Sequence, residues 1–329
     1  MPRPGLRGAL ALVVGNLLLS ILLLALAGAG LELYYRFVYD ETDTANRSKL
    51  SKRWFDRYWH ENSDEIRDDV DYPRPIAEGR RRITFLGDSY TAGHGLKRVE
   101  DRFAHRLRAA RPDWEVHTLA YNGINTVEEI DVLRRFLADG YQLDSVVLVY
   151  VYNDIDSFIA EFQEFYRHID VPPAFLAPLL DHSYAADLYY QRWRQRDAAL
   201  RSGIPYPVLR SEAYEGRPWK AMEHALDQLA KEVWEQDARF AAVTFPWMQM
   251  LAAGEVELPM YAKLEDFWSS RDVPHLQLLP ELLRHVDEDL LVNRRDTHPN
   301  ARAHEIAAQA LLPFLEERVL PLPGGPPAP

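Results

Sequence analysis

The chain has 329 residues, 47% hydrophobic and 27% charged, a formal net charge of -12 and no cysteine. That balance fits one large globular domain with attachments and excludes wholesale disorder. The absence of cysteine excludes disulfides, thiolate nucleophiles and cysteine zinc sites, and the acidic surplus argues against a nucleic-acid partner.

Leu10 to Leu31 is apolar apart from Asn16, Ser20 and small residues, and it carries no charge. A helix of about 20 such residues covers the ~30 Å hydrocarbon core of a bilayer. Arg3 and Arg7 precede it, and Glu32, Asp40, Glu41 and Asp43 follow. This bias holds the N-terminus in the cytoplasm and puts the body of the protein outside. Ala25-Leu26-Ala27 resembles a signal-peptidase site, so cleavage is the alternative to an anchor; the length of the run favours the anchor. Tyr34, Tyr35, Phe37 and Tyr39 are expected to form an aromatic belt at the outer interface.

Residues 40–80 carry many charges, Trp54, Trp59, Pro73 and Pro75, with no sustained period. They read as a juxtamembrane connector, with Trp54, Phe55, Tyr58 and Trp59 either packed on the domain or resting on lipid headgroups. Arg80-Arg81-Arg82 reads as a solvated or headgroup-facing lead-in to the first strand.

Ile83 to Leu86 is a short apolar run ending in Gly87-Asp88-Ser89, the way a buried strand delivers a side chain to a sheet edge. Ligands of open α/β sheets gather at the carboxyl ends of strands, which is where Ser89 stands. The same residues also suit a turn or a helix N-cap. A helix around Arg102 to Ala110, a strand Trp114 to Leu119 and a helix Thr126 to Leu137 follow. Ser145 to Tyr152 is apolar without alternation, as in the central strand of a parallel sheet, and it ends in Asn153-Asp154.

Residues 156–210 are rich in aromatics and proline, with helical spacing near Ala185 to Leu200. Two readings stand: a lid or substrate-binding insert, or an ordinary packed helical connection. Trp219 to Trp234 resumes a helix and Phe240 to Phe245 a strand; Asp296-Thr297-His298-Pro299-Asn300 then opens a last helix. The organisation expected is an anchor over 1–39, a connector over 40–80, one α/β domain over 81–318 and an unstructured tail over 319–329.

A serine hydroxyl becomes a nucleophile when a neutral imidazole takes its proton, and the imidazole needs a carboxylate to fix its tautomer. Ser89, His298 and Asp296 supply the three groups, and the Asn153 amide with backbone N–H groups supplies donors for an oxyanion. There is no Gly-x-Ser-x-Gly elbow, phosphate loop or His-Glu-x-x-His pair. His94, His105, His182, His224, His275 and His285 are scattered and read as surface residues.

Gly87-Asp88-Ser89, the glycine-bearing turn Thr118 to Asn125, Asn153-Asp154 after a central strand and Asp296-x-His298-Pro299 together resemble the SGNH (GDSL-type) hydrolases, from about Arg82 to Leu315. The resemblance implies a flavodoxin-like three-layer α/β/α domain around a parallel sheet. It makes Ser89 the nucleophile, His298 the general base and Asp296 its orienting partner. The oxyanion hole would comprise the amide of Ser89, Asn153 and either Ala120 or Gly123, with spacing from the strand favouring Ala120. Many members carry the acid three residues before the histidine, a position held here by Arg295; Asp296 stands two before.

The expected function is that of a serine esterase or deacetylase acting on acyl esters, above all O-acetyl esters, on the periplasmic side of the inner membrane. The same groups also suit an O-acetyltransferase with a polysaccharide as acceptor, the aromatic stretch Phe158 to Trp193 stacking on its sugar rings. A non-catalytic envelope scaffold is the reading from another class. The partners implied are an ester substrate, the membrane and other envelope proteins, with no nucleic acid, no cofactor and no metal.

Overall fold

The computed structural model describes residues 6–44, 46–160, 162, 172–201, 206–254 and 258–320. Five parallel strands, β1 (Arg81–Gly87), β2 (Trp114–Ala120), β3 (Ser145–Tyr150), β4 (Arg239–Thr244) and β5 (His275–Gln277), pair in the order β2-β1-β3-β4-β5. This is the flavodoxin-like order, with its switch point between β1 and β3.

The unalternating β3 is buried along its whole length because both faces are covered. Val146, Leu148 and Tyr150 lie in the core shared with residues of helices Arg217–Trp234 and Pro259–Ser269. Val147 and Val149 lie in the opposite core, with residues of the C-terminal helix Ala301–Phe314. The domain is therefore a three-layer α/β/α sandwich, and chemistry is confined to the strand ends. The short edge strand β5 and the helix Pro259–Ser269 had no recognised signal in the sequence.

Helix α1 (Leu6–Phe37) is long and apolar enough to cross a membrane, and none of its most apolar stretch is buried by protein. Two of the four rings expected in an aromatic belt are not at an outer surface. Phe37 and Tyr34 are exposed, but Tyr35 and Tyr39 are buried against Leu50 and Leu188. The end of α1 is thus docked on the insert. Glu32 accepts from Ser183 Oγ at 2.8 Å and from the backbone N–H groups of Tyr184 and Ala185, at the start of helix Tyr184–Arg201. A carboxylate placed there satisfies helix-terminal donors and complements the helix dipole. Leu180 and Leu188 of the insert are buried, whereas Phe175, Leu179, Tyr189 and Trp193 are exposed; residues 161, 163–171 and 202–205 of the insert lie outside the described residues, as do residues 321–329 of the expected tail, whose first two residues, Val319 and Leu320, are buried.

The connector differs most from expectation, because it contains helix α2 (Lys49–Tyr58). Ser48 caps it, accepting from Ser51 N, and Leu50 and Trp54 bury one face. Trp54 is 1% exposed, so the aromatic packs on the domain rather than resting on lipid.

Arg82 corrects the reading of the basic cluster, for it is 0% exposed. Its guanidinium donates to the carbonyls of Pro73, Arg74, Pro75 and Gln142 at 2.8–2.9 Å and pairs with Glu115 at 2.7 Å. Five fixed donors can be buried when each finds an oxygen, and the proline stretch offers carbonyls that no helix or strand claims.

A second buried charge group ties the connector to the sheet. Asp68 accepts from Arg102 at 2.8 Å, from Arg108 at 3.0 Å and from the Tyr72 hydroxyl. Burial raises its pKa, but the Arg108 hydrogen bonds and the Arg102 charge outweigh burial and hold the carboxyl far below the usual range. Asp68→Ala strands Arg102 in the core and is expected to lower stability by about 3–5 kcal/mol. Because the folded pKa is depressed, this contribution is full at neutral pH. The deficit of the variant in urea unfolding should shrink as the pH falls below about 4.

Candidate active site

β1 ends in Gly87, and Asp88 then caps a single turn of helix, α3 (Ser89–Ala92), by accepting from Tyr90 N at 2.9 Å. Glycine is required at 87 by close approach: a Cβ there would lie 2.3 Å from Thr91 Oγ1 and 3.2 Å from the Val149 carbonyl. Ser89 is the first residue of α3, so its N–H has no partner within the helix.

The loop before helix Ala301–Phe314 brings the other groups. Ser89 Oγ lies 2.9 Å from His298 Nε2, and His298 Nδ1 lies 2.6 Å from Asp296 Oδ1. Ser89, His298 and Asp296 therefore stand in one hydrogen-bonded line.

A carboxylate only accepts, so His298 carries its proton on Nδ1 and Nε2 is left to take the serine proton. The electrostatics agree with that assignment. Burial, and next the charge of neighbouring His94, push the His298 pKa below the ordinary imidazole value, which leaves a neutral base at neutral pH. Burial alone raises Asp296, but the charge and hydrogen bond of His298, and next the charge of His94, hold it well below the usual carboxylate range. Arg295, at the alternative acid position, reaches Tyr39 instead.

Asn153 follows β3 in a short 3₁₀ turn, Tyr152–Phe158. Its Nδ2 lies 3.2 Å from Asp88 Oδ2, the oxygen that Ser89 Oγ approaches at 3.5 Å, so the amide and the serine hydroxyl share one carboxylate. Burial pushes the Asp88 carboxyl up to about 6, against hydrogen bonds from Tyr90 and Asn153. Ala120 is the last residue of β2 and pairs with Gly87, one strand from Ser89. Gly123 sits further out in an exposed turn at φ +76°. The register therefore brings Ala120, not Gly123, beside the strand end that carries Ser89.

His94 corrects the sequence reading: it is 2% exposed, and its ring stacks on His298 with centroids 4.1 Å apart. His105 is buried as well, pushed down to about 4 by burial and by Arg102. The position of His94 five residues after the serine, between two glycines, was the available signal. Gly95 must be glycine, since φ is +82° and a Cβ would lie 2.5 Å from Val292 and 3.0 Å from Asp296 Oδ2. Donor atoms of His94, Asp296 and His298 lie within 4.8 Å of one another, close enough for a cation to bridge. As they stand, one Asp296 oxygen accepts from His298 and the other from the Thr42 hydroxyl.

An open depression of about 430 Å³ lies between α2 and the loop after β2, and Phe55 on its wall also packs against His94 at a centroid distance of 5.5 Å. Phe55, Trp59 and Tyr121 give it aromatic walls, and Asp56, Glu61 and Asn122 give it polar groups.

No family model and no curated protein matches the chain. Similar solved structures include a member of the lipolytic G-D-S-L family from Veillonella parvula, at 10% identity and TM-score 0.43, covering 70% of this chain and 96% of that one. An extracellular lipase from Streptomyces rimosus is similar at 15% identity and TM-score 0.45, covering 71% and 98%. A two-domain esterase active on acetylated mannans is similar at 13% identity and TM-score 0.41, covering 76% of this chain and 52% of that one. At these identities and TM-scores the likenesses carry no argument about chemistry, which rests on the side chains of this chain.

Proposed function

We propose that this chain is an SGNH-type serine hydrolase that forms a Ser89 acyl-enzyme from an acyl ester, above all an O-acetyl ester of an envelope polysaccharide. The observation that carries the reading is the hydrogen-bonded line from Ser89 Oγ through His298 to buried Asp296. Ser89 Oγ attacks the ester carbonyl carbon while its proton passes to His298 Nε2. The oxyanion is met by the Ser89 N–H, the Asn153 amide and the Ala120 backbone. Collapse breaks the ester C–O bond, and the leaving alcohol takes the proton from His298. Water, deprotonated by the same imidazole, then releases the acid and restores Ser89.

α1 serves as the anchor, with the domain on the periplasmic side in accord with the charges that flank the apolar run. Protease added to intact spheroplasts is expected to remove the domain; full protection would reverse the orientation.

The depression favours a second acceptor, a sugar hydroxyl in place of water. Aromatic faces with carboxylate and amide groups between them suit a pyranose ring, whose C–H face stacks while its hydroxyls hydrogen-bond. With acetyl-labelled ester and an oligosaccharide, the full chain in detergent passes label to water if it is an esterase and to the sugar if it is a transferase. Trp59→Ala is expected to raise KM for an acetylated oligosaccharide roughly tenfold, the worth of one stacked ring, and to leave turnover of a small chromogenic ester within about twofold. Equal effects on both substrates would remove the depression from the reading. A folded chain that turns over no ester and does not react with a serine-directed phosphonate would be a scaffold instead.

A further inference from the structure

Asp296 has two carboxylate oxygens, and the triad uses one. Oδ1 accepts from His298 Nδ1 at 2.6 Å and from the His298 backbone N–H at 3.2 Å. Oδ2 faces the other way, into protein: Asp296 is 0% exposed and Thr42, beside it, 1%. The Thr42 hydroxyl donates to this oxygen. His94 Nε2 lies 3.2 Å from the same atom without the alignment of a hydrogen bond, so Thr42 is its directional donor.

Thr42 does not belong to the α/β sandwich. It lies on the stretch between the end of α1 at Phe37 and the start of α2 at Lys49, 254 positions before Asp296. That stretch is fastened along the triad loop. Asn293 Nδ2 donates to the Thr42 carbonyl at 3.3 Å, Thr44 N donates to the Arg295 carbonyl at 3.1 Å, and Thr297 N donates to Thr44 Oγ1 at 3.0 Å. α2 follows and covers the outer side of His94, with Phe55 and Trp54 at centroid distances of 5.5 and 6.4 Å.

We infer that the segment leaving the membrane helix completes the active site, with Thr42 as the positioning residue for Asp296. A carboxylate held by one oxygen can turn about its Cβ–Cγ bond, and with it the imidazole that it orients. A donor on the second oxygen fixes the plane and stabilises the charged form without drawing the His298 proton away. Among the described residues no sheet element hydrogen-bonds Oδ2, so the anchor-proximal stretch supplies what the sandwich alone does not.

The inference rests on the triad reading and is tested beside it, on the full chain in detergent, with Thr42→Val, Thr42→Ala and Thr42→Ser. The valine keeps the shape and removes the donor; the alanine is a second donor-free variant should the valine not fold. kcat/KM on a short chromogenic ester is expected to fall roughly 10- to 100-fold in both, the worth of one hydrogen bond to a buried charge, with KM within about twofold. The acid limb of the pH profile should move to higher pH, because Asp296, no longer sharing its charge with a hydroxyl, holds the His298 proton more firmly. The other titratable groups around the pair stay in place: His94 on the loop after α3, Tyr90 with its ring 5.4 Å from His298, and Asp88 beside the nucleophile. Thr42→Ser is expected to restore both rate and limb.

Donor-free variants with wild-type kcat/KM and an unmoved acid limb overturn the inference. So does a serine variant as impaired as the valine, since the methyl group would then be what matters. The low-field proton resonance of His298 Nδ1–H gives a readout that needs no turnover. A shift in Thr42→Val, reversed in Thr42→Ser, supports the positioning role even if turnover proves independent of Ser89, which would sink the hydrolase reading alone. An unshifted resonance overturns the positioning role even in an active enzyme.

Discussion

Ser89→Ala is expected to lower kcat for a short-chain ester by about a million-fold, down to the residual rate that oxyanion donors and binding provide without a nucleophile. The argument is geometric. Ser89 Oγ is the hydroxyl that His298 Nε2 reaches and can deprotonate; Asp88 beside it is held by Tyr90 N and Asn153. His298→Ala should fall to nearly the same level, and the double variant little further, because the two act as one unit. The check is steady-state turnover with active-site titration by a phosphonate. Multiplicative losses in the double variant would mean that the residues act separately and that the triad is misassigned. Neither variant should lose much stability, since Ser89 Oγ and His298 Nε2 chiefly serve each other.

Asp296→Asn is expected to cost about ten thousand-fold in kcat with an unchanged fold. The side chain keeps its volume, and the Asn293 side chain still accepts from the backbone N–H at this position at 2.9 Å. What changes is the tautomer. An amide nitrogen facing His298 Nδ1 donates to it, so the ring proton moves to Nε2 and no lone pair remains for Ser89. The wild-type enzyme should lose kcat/KM only below the ordinary imidazole range, since the folded His298 pKa is depressed and the base stays neutral until the pH drops through that lowered value. A rate for the Asp296→Asn variant within about tenfold of wild type at neutral pH would show that another carboxylate orients the histidine.

Much of the fold was legible because it is written in local periodicity. The unbroken apolar run from Ser145 to Tyr150 has a single explanation, a strand with helices on both faces, and it is the middle of the sheet. α2 was legible and overlooked. Ser48 is a capping residue, and Leu50 and Trp54 repeat at helical spacing, but the surrounding charges and prolines mask the period. β5 has three residues and no period to read.

At the site, the sequence alone determined which groups face the solvent end of the sheet: a serine after β1, an amide after β3 and an aspartate with a histidine at a helix start. Residue order along a parallel strand fixes that, because each strand exits at the same edge. Tertiary structure decided what those groups touch. It set Asp296 Oδ1 at 2.6 Å from His298 Nδ1, turned His94 from a surface residue into a stacked neighbour, and buried Arg82 among carbonyls. It also brought Thr42 to an oxygen 254 residues away. Contacts at that separation leave no period, cap or spacing in the chain. They follow from how the segment beyond the membrane helix folds back onto the finished sandwich, and a sequence read in order carries no record of that path.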